Sequence, residues 1–353
     1  MADRIDKNEN PQVETVQATD AHAFRQFRRA VSAMLVLVAF TAIIIGVAML
    51  LGYVADQKPV EQDQSSAVTT PVVYDPFYVL LIGSDSRKGT AIYTGKDNEQ
   101  GQAVAYADIM TLMRVDPQSY TITLVTIPRD SVVDDDSPKV NAALNGDDPQ
   151  KVVDEVARLT GIEADYYAMT TFASFEILIN SMGGIDVDVP RTVTVTDPMT
   201  VDNVTVQAGQ DRHLNGAEAL VFSRARKQYA SYQEALRQNN VRTTEIAIIN
   251  KVLSQGSELD IQEMVDAFEA NVETNMDMSQ VAALALDFML HKDLVIIYEA
   301  TGPYDGDIRP SDESWVVPND PDAWARIKSL TDSGFDPSGV IEAPTFEEAD
   351  PQK

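Results

Sequence analysis

The sequence predicts an α/β domain, a sheet with helices on both faces, preceded by a single transmembrane helix. Three observations lead there. Short runs rich in Val, Ile and Leu are apolar at consecutive positions and read as strands buried on both faces, and such strands need helices to cover them. Longer stretches between these runs repeat their apolar residues with helical period. Ahead of both lies the uncharged run Ala30–Ala55, about two dozen residues, enough at helical rise to cross a hydrocarbon core roughly 30 Å thick.

Along the chain, residues 1–29 are polar and mixed in charge and read as a short disordered cytoplasmic tail. The span follows at Ala30–Val54, too long and too far from the terminus for a cleaved signal peptide. Arg25, Arg28 and Arg29 stand directly before it and Asp56 and Glu61 after it, which puts the N-terminus in the cytoplasm and the bulk of the chain outside. Residues 55–75, rich in Pro, Ser, Thr and Gln, suit an extended spacer. A domain over 76–331 begins with strands at Phe77–Ile82, Ile109–Val115 and Thr121–Ile127, with a further strand at Leu294–Tyr298. Helices are expected at Pro149–Thr160, where Val152, Val153, Val156 and Leu159 share a face, and at Phe172–Met182, before the turn Gly183–Gly184. From 332 to 353 the chain is acidic and Pro-rich and reads as a disordered end.

Composition removes several kinds of chemistry. There is no cysteine, so the folded part rests on its hydrophobic core, and thiolate catalysis and Cys-based metal sites are excluded. A formal net charge of −28 argues against a nucleic-acid partner, whose footprint is a basic face. His22, His213 and His291 have no neighbouring serine and no partner at metal-binding spacing, and GxSxG, GxxxxGK and HExxH motifs are absent. What remains is a set of carboxylates and arginines.

The first of these lies in Val79–Arg87 (VLLIGSDSR), an apolar strand that breaks at Gly83 and presents Asp85 and Arg87. Ligands of α/β sheets bind beyond the carboxyl ends of strands, where these two residues would stand. In Tyr106–Leu112 (YADIMTL), Asp108 stands at the start of the next apolar strand. Paired with Asp85 it suits a hard cation such as Mg²⁺, which takes one or two carboxylates and completes its shell with phosphate oxygens and water. Leu124–Ser131 (LVTIPRDS) repeats the pattern, with Pro128 ending the strand and Arg129 and Asp130 exposed beyond it. Two strand ends, each bearing an Asp and an Arg, describe a site for a multiply charged anion with a bridging metal. Arg224 and Arg226 would point the same way if Phe222–Arg226 is extended, and Arg237 and Gln238, near the start of the following helix, would extend the anion site. The plainer alternative is polar turns and surface salt bridges that balance an acidic domain.

Taken in order, GSDSR at 83–87, ADIMTL at 107–112, TIPRDS at 126–131, KVNAAL at 139–144, LTGI at 159–162, GGIDVDVP at 183–190, LNGAEAL at 214–220 and RAR at 224–226 resemble the LytR-CpsA-Psr family. The resemblance covers roughly Pro76 to Leu330. It implies an α/β/α sandwich with a central mixed sheet that binds a polyprenyl-pyrophosphate-linked glycopolymer. It also implies transfer of that polymer to a muramic acid hydroxyl of peptidoglycan, with release of polyprenyl phosphate, on the outer face of a Gram-positive membrane. Asp85 and Asp108 would match the carboxylates tied to Mg²⁺, and Arg87, Arg129, Arg224 and Arg226 the arginines around the pyrophosphate, while Arg237 and Gln238 match the family's terminal Arg-Gln pair. Phosphoryl transfer asks for positioning and charge neutralisation, so Arg129 and Asp130 are expected at the reacting centre, with Asp130 or Asp108 available to take the acceptor's proton. One departure stands out. Where the family has a further arginine three residues before Arg-Gln, this chain has Glu234, spaced from Ser231 as a capping box. The same electrostatics admit a pyrophosphatase with water as acceptor, and the missing arginine admits a non-catalytic scaffold that binds wall polymer.

Overall fold

The computed structural model describes residues 75–86, 105–145, 147–254 and 269–349. The expected cytoplasmic tail, the membrane span, Arg87 and all of the spacer but Asp75 lie outside the described residues.

Three strands open the described chain, β1 (Phe77–Ser84), β2 (Ala107–Asp116) and β3 (Thr121–Thr126), each antiparallel to the next. A 3₁₀ turn at Val140–Leu144 precedes α1 (Pro149–Thr160). Asp148 fixes the start of that helix by accepting a hydrogen bond from the Gln150 N–H, and Gly161, at φ 68°, ends it in the left-handed region. β4 (Tyr166–Thr171) pairs parallel with β1 and runs straight into α2 (Phe172–Ser181), which Thr171 caps. Two small ribbons follow, β5 (Ile185–Val189) with β8 (Gly209–Leu214) and, between them, β6 (Val193–Thr196) with β7 (Asn203–Val206). α3 (Gly216–Arg224) begins with a capping box between Asn215 and Glu218, and α4 (Gln233–Ser254) comes next. β9 (Glu273–Thr274), α5 (Met278–Leu290) and β10 (Ile296–Thr301) lead to the ribbon of β11 (Asp307–Ile308) and β12 (Trp315–Val316). α6 (Pro321–Asp332) and α7 (Phe346–Ala349) close the described chain.

The main sheet has the order β10-β3-β2-β1-β4-β9. Parallel pairing of β1 with β4 and of β3 with β10, together with the antiparallel meander, sends β1, β3, β4 and β10 in one direction. Their carboxyl ends, Ser84, Thr126, Thr171 and Thr301, therefore gather at one end of the sheet, where β2 begins. On one face Leu80, Ile82, Met110, Leu112 and Val125 pack against α1 and α6 through Val152, Val156, Leu159, Trp324 and Ile327. On the other, Ile122 and Leu124 meet Ile249 of α4 and Phe288 of α5. This is the expected α/β/α arrangement about a mixed sheet, and a third cluster packs α2, α3 and α4 onto the small ribbons.

The packing of α6 is tight enough to test. A Cβ on Gly302, which follows β10, would fall 2.2 Å from the ring of buried Trp324. Gly302→Ala is expected to cost about 1–3 kcal/mol by overpacking, seen calorimetrically as a Tm lowered by several degrees. An unchanged Tm would mean that the indole has room to move.

Three local expectations are corrected. The strand placed at Leu294–Tyr298 starts at Ile296, because Lys292–Leu294 forms a 3₁₀ turn. The stretch bearing Arg224 and Arg226 is not extended: Arg224 closes α3 and Arg226 lies in the loop beyond. Its apolar run suits helix or strand alike, and the capping box at Asn215 decides for helix. Finally, the acidic end is not loose over 333–349. Val340 and Ile341 pack on the first core, Phe346 sets its ring 5.5 Å from that of Tyr229, and the Pro344 carbonyl accepts a hydrogen bond from Asn239. A few apolar residues with grooves to fill outweigh the acidic composition around them.

Candidate functional site

Among the described residues, the charged side chains singled out from sequence converge where the four strand ends meet. Asp85 leaves β1 one residue past Ser84 and is pinned to Tyr106: its Oδ1 accepts from the Tyr106 N–H at 2.7 Å, and its own N–H donates to the Tyr106 carbonyl at 3.0 Å. Asp108, at the start of β2, accepts from Arg129 Nη1 at 2.6 Å. Arg129 stands just beyond β3, with its Nε 3.7 Å from Asp130. Asp130, expected exposed, is buried: Lys139 Nζ donates to it at 2.7 Å, and its carbonyl accepts from the Val317 N–H. It sits behind Arg129 and holds it. Burial would lower the Arg129 pKa, but Asp108, Asp130 and Glu234 outweigh that and keep it above its ordinary value.

Arg224, at the end of α3, lays its guanidinium over the Phe172 ring, 4.6 Å from the centroid. Burial lowers its pKa, and the charges of Asp108, Asp197 and Asp85 oppose that shift, so Asp85 and Asp108 act on one guanidinium. In the first turn of α4 the Glu234 carboxylate receives Arg237 Nε at 3.1 and 3.2 Å and lies 3.7 Å from Arg226 Nη1. Glu234, expected to cap the helix, thus ties two of the site's arginines together.

Gln238 lies under this cluster instead of in it. It is 2% exposed, and its Oε1 accepts from the hydroxyls of Thr126 at 3.1 Å and Thr301 at 2.8 Å, which fastens β3 and β10 to α4. One turn on is Arg242, which sequence reasoning missed. It donates to Thr126 at 2.7 Å and pairs with Glu299 at 3.4 Å. Its signal was helical spacing, since Gln238, Arg242 and Glu245 fall on one face of α4.

Beside Phe172 opens a cavity of about 270 Å³ between the sheet and α2, α4 and α5. Its wall runs along β1 from Gly83, at the charged end, to Phe77, roughly 20 Å at strand rise. Val79, Leu81, Met113, Leu178, Ile248 and Phe288 are among the apolar side chains that face it. In sequence each of these reads as ordinary core, so nothing announced a cavity.

The arrangement suits an amphiphile whose head is a multiply charged anion. Arg129, Arg224, Arg226 and Arg237, set against Asp85, Asp108 and Glu234, leave a small positive excess, less than the two or so negative charges of a pyrophosphate diester, and guanidinium forks match its oxygens. A divalent cation would close that gap. Among the described residues no three carboxylate or imidazole groups cluster to cage a metal, so one held at Asp85 and Asp108 would draw further ligands from substrate oxygens and water. That is how Mg²⁺ is usually bound, and the donor set fits it.

Known proteins resemble the chain in sequence and in fold. The polyisoprenyl-teichoic acid–peptidoglycan teichoic acid transferase TagU of Bacillus licheniformis is 29% identical over 233 residues, 65% of this chain and 69% of the relative. TagV of Bacillus subtilis, named for the same activity, is 28% identical over 217 residues, 59% of this chain, and the chain spans about half of that relative's length, 52%. The crystal structure of B. subtilis TagV shares the fold with a TM-score of 0.59, at 24% identity over 74% of this chain and 97% of that one. The sequence profile of the LytR_cpsA_psr family matches residues 49–313, and the chain belongs to that family.

Proposed function

We propose that the protein transfers a glycopolymer, teichoic acid or one like it, from a polyprenyl-pyrophosphate carrier to a hydroxyl of peptidoglycan. The observation that carries this reading is the continuity of an apolar cavity with a cluster of arginines and carboxylates, joined at Phe172 and Arg224. The activity for which TagU and TagV are named supports it. In this reading Ala30–Val54 anchors the chain with its N-terminus inside, and the folded domain works on the outer face of the membrane.

The acceptor hydroxyl oxygen forms a bond to the phosphorus that carries the glycan. The bond from that phosphorus to the bridging oxygen breaks, the electron pair leaves with polyprenyl phosphate, and the proton of the hydroxyl passes to the departing phosphate or to solvent. A phosphodiester remains. Catalysis of this kind is in-line positioning and charge neutralisation. Arg129, Arg224, Arg226 and Arg237 would hold the pyrophosphate oxygens and take up charge as it moves to the bridge, and the family resemblance adds Arg87 to this set. Asp130 and Lys139 keep Arg129 aimed. Asp85 and Asp108 would hold Mg²⁺, which when bound supplies the positive charge that the arginines alone lack.

The test is release of polyprenyl phosphate from a lipid-linked glycopolymer by the full-length protein, with and without peptidoglycan fragments and with and without a chelator. Release that needs the fragments and stops on chelation is the expected result. Release to water alone would make the protein a pyrophosphatase, and binding without release would make it a scaffold.

A further inference from the structure

One carboxyl group stands in the largely apolar wall of the cavity. Among the described residues that line it, Glu245 of α4 is the one titratable group. Its Oε2 is buried without a hydrogen-bond partner, and so is the hydroxyl of Thr111 on β2, which approaches it without completing a bond. Its neighbours on the cavity side of the same helix, Val241, Ile248 and Val252, are the residues such a position ordinarily holds. An unpaired carboxylate in that setting is costly, whereas the neutral acid is tolerated. Arg242, one turn earlier, is drawn away to Thr126 and Asn239 and to Glu299 on β10. The surfaces that β1, α2 and α5 turn to the cavity bring Leu81, Phe175 and Leu284, with no charge. Burial pushes the Glu245 carboxyl up to about 7, and Thr111 and the charge of Arg242 pull it only partly back.

We infer that Glu245 couples occupancy of the cavity by an apolar chain to uptake of a proton. The neutral acid lets the chain lie against α4. The ionised carboxylate draws water into the cavity and disfavours the chain. This rests on the cavity being the place of the carrier's chain, so the probe is chosen to separate the two ideas. Geranylgeraniol is an isoprenoid alcohol with no phosphate of its own to titrate. Its radiolabelled form would be measured on the full-length protein in nanodiscs, against empty nanodiscs, at about pH 6 and about pH 8. A carboxyl titrating near 7 passes from about nine-tenths to about one-tenth protonated over that interval, so wild-type affinity is expected to fall about tenfold. Glu245→Gln, a neutral isostere, is expected to bind at both values with the affinity that wild type shows at the lower one. Its thermal unfolding would be followed alongside to establish that it is folded. Equal wild-type affinity at the two pH values would overturn the coupling, as would a Gln variant that keeps the wild-type pH dependence. No binding by wild type at either pH would instead remove the cavity as the chain's site, and the coupling with it.

Discussion

Arg129→Ala is expected to lower transfer by about a thousandfold or more while the domain stays folded. The side chain is 27% exposed, bonded to Asp108 and backed by Asp130. It therefore sits where a substrate oxygen can reach it, yet is held in place. Removing a group aimed at developing charge typically costs 10²–10³ in rate, and arginines at phosphoryl-transfer centres reach 10³–10⁵. The cost in stability is smaller, because Asp130 keeps Lys139 at 2.7 Å and Asp108 is open enough to hydrate. Circular dichroism should be unchanged, with Tm lowered by a few degrees at most. Arg129→Lys keeps the charge but loses the planar fork, so its rate is expected between the two. Turnover by the Ala variant near the wild-type rate would sink the assignment of Arg129 to the reacting centre.

That residue was legible in the sequence because strand, Pro and Arg-Asp follow one another in a pattern whose geometry is local. The same holds for Asp85 and Asp108: an apolar strand ends or begins, and the next charged residue stands at the end of the sheet. Where the reading failed, contacts between distant segments decided. Asp130 looked as exposed as Arg129, but Lys139, nine positions on, folds back over it. Gln238 looked like part of the anion site until the hydroxyls of Thr126 and Thr301, from two separate strands, took it beneath. Glu234 reads in sequence as a lost arginine or a cap. In the fold its carboxylate joins Arg226 to Arg237, so the substitution both removes a positive charge and engages two others. The cavity is the extreme case, since a residue that lines a void and one that fills a core have the same side chain and the same period.

Leu81→Trp is the complementary experiment, aimed at the chain and not at the head of the substrate. Leu81 lies mid-strand on β1 between Thr111 of β2 and Ala168 of β4, and its side chain faces the cavity. A Trp there is expected to project into the 270 Å³ space about 10 Å of strand short of Ser84 and the charged end. Each methylene taken from water contributes about 0.8 kcal/mol, so denying the chain about four of them costs roughly 3 kcal/mol, or more than a hundredfold in affinity. The loss should appear as a raised KM for the long-chain donor, with a geranyl-linked donor used about as well as by wild type. Arg129→Ala, by contrast, should lose turnover on both donors, because the head is the same in each. Filling a void seldom destabilises when the added ring fits, so the Tm of Leu81→Trp should not fall much. If the Trp variant used the long-chain donor as well as wild type while folded, the chain would have to run elsewhere. The charged cluster would then stand without the apolar half on which the proposed function depends.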